Sequence, residues 1–245
     1  MWGSPPANLM LASDEVHVWC ASLEQSPALV EQLAQTLSKD ERTRAARFYF
    51  EQHKNRFIVG RGILRTLLGS YLSIEPTSVQ FCYGPRGKPA LSEICSKAKL
   101  CFNVSHSQGL ALYAVTRDRQ IGVDIEQIRP IPNAEEIALR FFSPREHAVI
   151  SALPPNQKQK AFFNCWTRKE AYIKAIGEGL AHSLDQIEVT LAPGERANLL
   201  SIAGSSQEAC RWSLHELAPV PADEYASALV VEGNTSSLSC WQWSE

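Results

Sequence analysis

Two carboxylates stand two residues apart in the apolar stretch IGVDIEQIRP, residues 121–130. Side chains of a β-strand alternate between its two faces, so Asp124 and Glu126 point to one side while Val123 and Ile125 point to the other. Two negative charges on one face of a buried strand repel each other and resist removal from water. The pattern therefore predicts a positively charged object between the two acids.

A second group of chemically useful residues lies in the stretch FFNCWTRKEAYIKAIGEGL, residues 162–180. On a helix, Trp166, Glu170 and Lys174 are spaced four residues apart, so Glu170 and Lys174 share one surface. A Glu–Lys pair at this spacing is also common on solvated helices, where it contributes only about 0.3–0.5 kcal/mol. Both interpretations are open when the helix is considered alone.

The two stretches together favour a metal site. Asp124, Glu126 and Glu170 would form a set of three carboxylates, and oxygen ligands of this kind suit Mg²⁺, which usually shares its coordination shell with substrate phosphates. Lys174, one turn beyond Glu170, is placed to neutralise a phosphate oxygen. The residues alone thus indicate a Mg²⁺-dependent enzyme that acts on a phosphate ester or anhydride.

A basic segment lies upstream, between residues 39 and 65. It holds eight basic and three acidic residues, a local charge of +5 in a chain whose net charge is −2. A run of charge is most often a solvated helix face. The alternative is a site for a small polyanion, such as a second, more distant phosphate. The basic residues are Lys39, Arg42, Arg44, Arg47, Lys54, Arg56, Arg61 and Arg65.

Composition excludes several classes of protein. With 245 residues, 44% of them hydrophobic and 20% charged, the chain is typical of globular proteins. The negative net charge argues against general nucleic-acid binding, and we see neither a signal peptide nor an apolar run long enough to cross a membrane. Seven cysteines without C-x-x-C pairs predict reduced thiols in a cytoplasmic protein and argue against a zinc site.

The order of predicted elements indicates an α+β fold with two similar halves, each with a small, mostly antiparallel sheet and packed helices. Ser38 and Glu41 form a capping box that begins a helix. Three successive strands, 101–107, 109–116 and 120–128, should form an antiparallel meander, and the polar tail 232–245 should be peripheral. The halves share element order, without an internal repeat of residues. The other predicted elements are helices at 26–36, 39–72 with a break near 50–53, 133–141, 144–152 and 157–176, and strands at 15–21, 78–84, 186–191, 210–217 and 225–231.

The motifs resemble those of a known family. GVDIE at 122–126, followed by WTRKEAYIKAIGEGL at 166–180, resembles the paired signature of the 4′-phosphopantetheinyl transferases. RFYF at 47–50, GKP at 87–89 and FNVSHS at 102–107 also resemble that family, in the same order, and the resemblance runs over roughly residues 15–230. The chain length resembles the larger, monomeric branch, the surfactin-synthetase-activating type, which is built of two pseudo-twofold-related halves.

The resemblance implies a role for each matching residue. Residues 1–130 would form the half that contacts coenzyme A and supplies the first metal ligands. Residues 131–245 would supply the catalytic helix and the carrier-protein docking surface. Relatives often carry lysine where Glu41 stands here, so the nucleotide contacts would differ in detail. The implied metal ligands are Asp124, Glu126 and Glu170, with Glu170 also the general base and Lys174 beside the transferred phosphate; the implied coenzyme A contacts are Arg44, Arg47, Arg56, Lys88, Ser105, His106 and Lys174, with Arg61 as a further family position.

The implied reaction transfers phosphopantetheine from coenzyme A to a serine of an apo acyl or peptidyl carrier protein and releases adenosine 3′,5′-bisphosphate. Two alternatives stay open on the residues. One is another Mg²⁺-dependent phosphodiesterase that hydrolyses nucleotide esters, and the other is a non-catalytic module that binds coenzyme A or a carrier. The carrier proteins served, the pathway and the preference between coenzyme A and acyl-coenzyme A are not determined by the sequence.

The resemblance implies that the carrier protein docks on the segment after the KEAYIKA helix, residues 177–184 and beyond. Because this segment is rather neutral, we predict mainly apolar contact through Leu180, Leu184 and their neighbours. We expect the substitution Leu180→Asp to raise KM for the carrier protein and to leave KM for coenzyme A unchanged, because a charge opposes apolar contact. Steady-state kinetics with each substrate varied in turn measures both constants. An equal change in both would contradict docking at this segment.

Overall fold

A computed structural model describes residues 2–6, 9–95, 98–178, 183–219, 221 and 223–244. It has the α+β architecture that the sequence predicts, with helices packed on small, mostly antiparallel sheets. The helices are α1 (Pro27–Thr36), α2 (Lys39–Ala45), α3 (Glu51–Leu72), α4 (Ala134–Phe141), α5 (Pro144–Ala152), α6 (Pro155–Ile176) and α7 (Ser206–Ala209). The strands are β1 (Glu15–Ser22), β2 (Phe81–Tyr83), β3 (Pro89–Leu91), β4 (Leu100–Ser107), β5 (Leu110–Arg117), β6 (Ile121–Gln127), β7 (Ile187–Val189), β8 (Leu199–Ile202), β9 (Trp212–Leu217), β10 (Tyr225–Glu232) and β11 (Ser237–Gln242).

Two larger sheets form the centre of the molecule. The first has the strand order β11-β1-β5-β4, and the second has the order β6-β10-β9. Helix α3 packs beside the first sheet in one hydrophobic core, and α6 packs on the second sheet in another. Apolar residues of β1, β5, β6 and β10 form a third core between the two sheets. The fold therefore consists of two similar α/β layers joined back to back.

The two halves repeat one device at the level of single residues, which the sequence analysis did not detect. Ser38 and Glu41 form the predicted capping box at α2, and Ser143 and Glu146 form a second capping box at α5. Each of these glutamates is buried and pairs with a cation on the long 22-residue helix of its own half. The repeat was hidden because the two cations differ, an arginine in one half and a lysine in the other.

The paired cations also hold the chain that follows each long helix. Arg65 of α3 lies 2.6 Å from Glu41 and donates to the carbonyls of Pro76 and Val79. Lys169 of α6 lies 2.5 Å from Glu146 and donates to the carbonyls of Leu184 and Ile187. In both halves one carbonyl belongs to the first residue of a short 3₁₀ turn, Pro76–Ser78 or Leu184–Gln186, and the other to the residue after it, on the way to a strand. A buried ion pair thus fixes the return of the chain after each long helix.

The predicted meander is wrong for its third strand. β4 and β5 pair antiparallel, but β6 pairs with β10, more than a hundred residues further along the chain. The connection between β5 and β6 has only three residues, and Asp118 within it adopts a left-handed conformation with φ of 53°. This turn directs the chain away from β5, so a short connection did not imply hydrogen-bonded neighbours.

The tail that was predicted to be peripheral lies at a sheet edge, where it forms a strand that was not predicted, β11. This strand runs parallel to β1 and places Val18 opposite Cys240. The rings of Trp241 and Trp19 lie 5.0 Å apart, and both contact the first hydrophobic core. The sequence did not predict this strand because its polar residues, which face solvent at a sheet edge, interrupt the apolar pattern of a buried strand.

The division of the chain at residue 130 stays a prediction. β6 precedes that residue and lies in the sheet of β9 and β10, whereas β11 follows it and pairs with β1. Each half therefore lends one strand to the sheet of the other.

Among the described residues, no helix combines the length and hydropathy needed to span a membrane. All seven cysteines fall in the described ranges and are free thiols.

The ion pair in the second core makes a stability prediction. Lys169→Met leaves Glu146 buried without its cation, and loss of one partner of such a pair costs about 3–5 kcal/mol. Lys158→Met on the same helix is the matched control, because the Lys158–Glu135 pair is partly exposed and such pairs contribute below about 1 kcal/mol. Urea unfolding of both variants measures the difference. Equal losses would contradict the role given to Lys169.

Candidate active site

The acids of β6 and α6 are brought together by an unusually close backbone approach. A Cβ on Gly122 would lie 2.0 Å from the carbonyl oxygen of Ala171 and 2.3 Å from the amide nitrogen of Ala175. Only glycine fits at such a distance, so β6 rests directly on the backbone of α6. This contact places Asp124, two residues along β6, beside the helix face that carries Glu170 and Lys174.

Lys174 and Asp124 form the centre of the site. The ammonium of Lys174 donates to Asp124 Oδ1 at 2.6 Å and to the hydroxyl of Ser105 at 2.8 Å. The hydroxyl of Ser105 in turn donates to Asp124 Oδ1 at 2.9 Å. On β4, Ser107 donates to Glu126 Oε2, also at 2.9 Å. The predicted residues Asp124, Lys174 and Ser105 are therefore in direct contact.

The acids of the site hold oxygen atoms without a protein partner. Asp124 Oδ2 and Glu170 Oε1 are buried, and no described group forms a hydrogen bond with either. Burial raises the pKa of Glu170, and the charges of Asp124 and Glu126 raise it further against the opposing effect of Lys174. Burial also raises the pKa of Glu126, and Asp124 adds to this while the hydrogen bond from Ser107 opposes it. Unpartnered oxygens and raised pKa values are typical of buried carboxylates whose negative charge is only partly balanced.

A cavity of about 600 Å³ lies between α3 and the strands β4 and β5, and its lining includes His106, the residue that follows Ser105 on β4. Its walls are largely aromatic and aliphatic, and its polar lining is entirely of basic character apart from Gln108 and the hydroxyl of Tyr113. The aromatic residues are Phe48, Phe57 and Tyr113, and the basic residues are Arg44, Arg56, Arg61, His53 and His106. The cavity can receive a ligand that is both aromatic and anionic.

The basic residues of this cavity differ in whether their charge is already used. Arg56 lies 2.5 Å from Glu24, and Arg61 lies 3.2 Å from Glu41. Arg44 instead stacks 5.2 Å from the centre of the Phe57 ring and makes no ion pair among the described residues. Arg44 also borders a neighbouring depression that Arg47 lines. Arg44 is therefore the arginine whose charge is most available to a bound anion.

His106 and Lys88 were both predicted to contact coenzyme A, and they have different surroundings. His106 lines the cavity, where partial burial lowers its pKa and the positive charges of Lys174 and Arg56 lower it further. The ammonium of Lys88 donates to three backbone carbonyls, those of Ile121, Lys174 and Ala175. Since an ammonium has three donors, Lys88 ties the start of β6 to the end of α6. Its burial lowers its pKa to about 8.

Comparisons with known proteins identify the family of this chain. A family model described as the 4′-phosphopantetheinyl transferase superfamily matches residues 120–230. A second, described as the N-terminal part of 4′-phosphopantetheinyl transferase, matches residues 19–117. The chain is 50% identical over 242 residues to the 4′-phosphopantetheinyl transferase HetI of Nostoc sp., covering 99% of this chain and 98% of the relative. This chain is a 4′-phosphopantetheinyl transferase family member.

Two further relatives support the assignment. A putative 4′-phosphopantetheinyl transferase of Synechocystis sp. is 35% identical over 188 residues, which are 77% of this chain and 74% of the relative. The 4′-phosphopantetheinyl transferase Sfp of Bacillus subtilis is 30% identical over 161 residues, which are 66% of this chain and 69% of the relative. The sequence-based recognition of the family is thus confirmed.

The residues of the site fit a divalent cation in part. Three carboxylates, two of them with unpartnered buried oxygens, offer the hard oxygen ligands that Mg²⁺ takes. As arranged, however, no group of three or more His, Cys, Asp or Glu side chains within the described ranges could hold a metal ion. The ammonium of Lys174 occupies one oxygen of Asp124 instead. The carboxylate oxygens are therefore of the right chemical type for the ion, but as arranged they do not converge on one position that an ion could occupy.

Several residues of the site were missed by the sequence analysis. Ser107 was quoted within a motif without a role, although it contacts Glu126. Glu24 and Glu41 neutralise arginines at the cavity, and Gly122 sets the distance between strand and helix. Only Gly122 carried a usable signal, a glycine inside a buried strand, which often marks close backbone approach. The predicted docking residue Leu180 lies outside the described residues, while Leu184 is held through its carbonyl by Lys169.

The raised pKa of Glu170 leads to a stability prediction. An acid whose folded pKa lies above its unfolded value stabilises the fold only while protonated, so its stabilisation is present below about pH 4.5 and is lost as pH rises through the folded pKa. Glu170→Gln should therefore raise the melting temperature of the ligand-free protein at pH 7. The gain should disappear near pH 4.

Differential scanning calorimetry across this pH range provides the test. Glu31→Gln, at an exposed position on α1, serves as the control and should show no such gain. A melting temperature at pH 7 that is unchanged or lowered by Glu170→Gln would show that the Glu170 carboxylate is not strained in the free protein.

Proposed function

We propose that this protein is a Mg²⁺-dependent 4′-phosphopantetheinyl transferase that modifies a serine of an apo acyl or peptidyl carrier protein. Coenzyme A is the donor, and adenosine 3′,5′-bisphosphate is the second product. The observation that carries the proposal is the contact of Lys174 with Asp124 beside the unpartnered carboxylate oxygens of Asp124 and Glu170. An anionic centre that also contains the ammonium of Lys174 suits a diphosphate that arrives with a divalent ion.

In this proposal, Asp124, Glu126 and Glu170 hold the ion. When bound, Mg²⁺ would neutralise charge on the diphosphate, the main need of phosphoryl-type transfer. Its binding would also offset the burial and the mutual repulsion that together raise the pKa of Glu126 and Glu170. Lys174 would exchange its bond with Asp124 for a bond to a phosphate oxygen.

Glu170 is proposed as the general base. The oxygen of the carrier serine attacks the β-phosphorus of coenzyme A, and the bond from that phosphorus to the oxygen bridging to the α-phosphorus breaks. The serine proton goes to the Glu170 carboxylate, or to it through a water molecule. Glu170 lies one helical turn before Lys174 on α6, which would place its carboxylate near the transferred phosphate and the serine proton.

The basic and aromatic cavity is proposed to bind the nucleotide end of coenzyme A. Arg44, with Arg47 nearby, would contact the 3′-phosphate, because Arg44 lines the cavity and its charge has no carboxylate partner in the described chain. Ser105 and His106 would contact the diphosphate end. Arg56 lines the same cavity and would reach the ligand from Glu24. Lys88, which was predicted to contact coenzyme A, would attract the ligand through its positive charge rather than through a hydrogen bond, because its three N–H groups already donate to backbone carbonyls.

The remaining predictions follow from the same proposal. The carrier would dock on residues 177–184, beside the end of α6. The protein would act as a monomer in the cytoplasm, where its seven free thiols stay reduced. A phosphodiesterase or a non-catalytic module is not favoured, because the relatives that share most of this chain are named as transferases.

A carrier-modification assay tests the proposal. The protein is incubated with coenzyme A, Mg²⁺ and an apo acyl carrier protein, and the carrier is weighed by mass spectrometry. We expect a gain of one phosphopantetheine that chelation of Mg²⁺ abolishes and added Mg²⁺ restores. Glu170→Gln should lower kcat by about 100-fold or more, the contribution typical of a general base, while Glu31→Gln should leave it unchanged.

Several carriers, from fatty-acid, polyketide and nonribosomal-peptide systems, should be tried in parallel. Hydrolysis of coenzyme A without carrier modification would instead indicate the phosphodiesterase. Full turnover by Glu170→Gln would contradict the assignment of the base.

A further inference from the structure

Strand β6 carries two acids of the proposed site and is an edge strand of its sheet. Its outer edge faces β4, the edge strand of the other large sheet. The two strands are joined by side chains. The N–H groups of Val123, Ile125 and Gln127 donate to Asn103 Oδ1, Ser105 Oγ and Ser107 Oγ, at 2.9, 3.3 and 3.0 Å. Every second side chain of β4 thus accepts a hydrogen bond from every second backbone N–H group of β6.

Two of these contacts have the same form. Ser105 accepts from the N–H of Ile125 and donates to the carboxylate of the preceding residue, Asp124. Ser107 accepts from the N–H of Gln127 and donates to the carboxylate of its preceding residue, Glu126. Each hydroxyl therefore bridges a backbone N–H to the acid one position earlier, which fixes the direction of that acid relative to its own strand.

The third contact differs for a structural reason. Asn103 accepts from the N–H of Val123, and the preceding residue on β6 is Gly122, which has no side chain to orient. Gly122 cannot carry one, because α6 lies too close. Asn103 thus serves only to hold the strand, while the two serines hold both the strand and its acids.

We propose that Asn103, Ser105 and Ser107 form a positioning ladder for the transfer reaction, and that Ser107 controls the affinity for the divalent cation by orienting Glu126. The inference rests on the proposed function, because it takes Glu126 as a ligand of the ion. Ser107 touches neither the reacting atoms nor the nucleotide cavity; it acts through Glu126. Partners that orient ligand side chains typically change metal affinity or activity by about 10–100-fold when removed.

The ladder explains why polar residues alternate in FNVSHS. A serine hydroxyl has one donor and two acceptor positions, and Ser105 uses all of them on Ile125, Lys174 and Asp124. Ser107 uses one donor and one acceptor. Ser107 can therefore be altered without removing a contact to Lys174, which makes it the informative position.

The test compares Ser107→Ala with Ser107→Thr and with Ser213→Ala. Ser213 lies on β9, in the same sheet as Glu126, and its hydroxyl donates to the backbone carbonyl of Gly233. The Mg²⁺ concentration that gives half-maximal transfer is measured for each variant. The affinity for Mn²⁺ is measured separately by electron paramagnetic resonance, with coenzyme A present and carrier absent.

We expect Ser107→Ala to weaken Mn²⁺ binding and to raise the Mg²⁺ requirement by about tenfold, with KM for coenzyme A unchanged within twofold. Ser107→Thr keeps the hydroxyl and should restore both values to within about threefold. Melting temperatures separate this effect from a general loss of folding. If Ser107→Ala behaves as Ser213→Ala does, the inference is wrong.

A double substitution shows whether Ser107 acts through Glu126. In the Glu126→Gln background, Ser107→Ala should cause no further weakening of Mn²⁺ binding, since its target is already removed. A full additional tenfold loss would overturn the inference. Normal metal binding and transfer by Glu126→Gln itself would contradict the proposed metal site rather than the ladder geometry, so the two failures are distinguishable.

Discussion

The candidate active site depends on the contact between β6 and α6 at Gly122. At most strand–helix contacts, side chains separate the two backbones, but here a single added carbon would lie 2.0 Å from a helix carbonyl. The contact puts the acids of the strand and those of the helix within reach of one another. Lys88 secures the same junction from the other side, with its ammonium on carbonyls of both elements. The separation of the two backbones is therefore fixed, and the acidic side chains of the strand and of the helix extend from these fixed positions.

The close approach has an electrostatic consequence. Three carboxylates are held near each other with Lys174 paired to Asp124, and burial together with their mutual repulsion raises the pKa of Glu126 and of Glu170 above the ordinary value. In the ligand-free protein such acids lower the stability of the fold, because like charges repel and buried charges lose hydration. Their retention in a rigid frame is understandable if a divalent ion and a diphosphate complete the site, because opposite charges then act where repulsion acted before.

The rest of the fold supports this frame in a repeated manner. In each half, a capping-box glutamate pairs in the interior with a cation from the long helix, and that cation holds the returning chain. The halves exchange strands, β6 in one direction and β11 in the other. Their sheet edges meet through the side chains of Asn103, Ser105 and Ser107 rather than through backbone pairing. The site lies at this meeting of the halves, so it forms only when both are folded.

Local sequence patterns were enough to predict several helices and strands of this protein and to select the residues that could do chemistry. The capping box at Ser38, the long helix with Glu170 and Lys174, and the strand with Asp124 and Glu126 follow from propensity and periodicity, which depend on near neighbours in the chain. The family was recognised from short motifs in order. The residues and the family resemblance assigned Asp124, Lys174 and Ser105 to one site, and in the structure the three side chains are in contact.

Only the tertiary structure decided which strands pair and which charges are already used. The partner of β6 is β10 rather than β5, and the polar tail completes the sheet beside β1. Arg56 and Arg61 are neutralised by Glu24 and Glu41, respectively. Arg44 has no carboxylate partner in the described ranges, and the ammonium of Lys88 donates its hydrogen bonds to backbone carbonyls. These facts involve residues far apart in the chain. Alternation along one strand cannot reveal the strand or side chain that lies across from it, because that choice depends on how all the elements pack together.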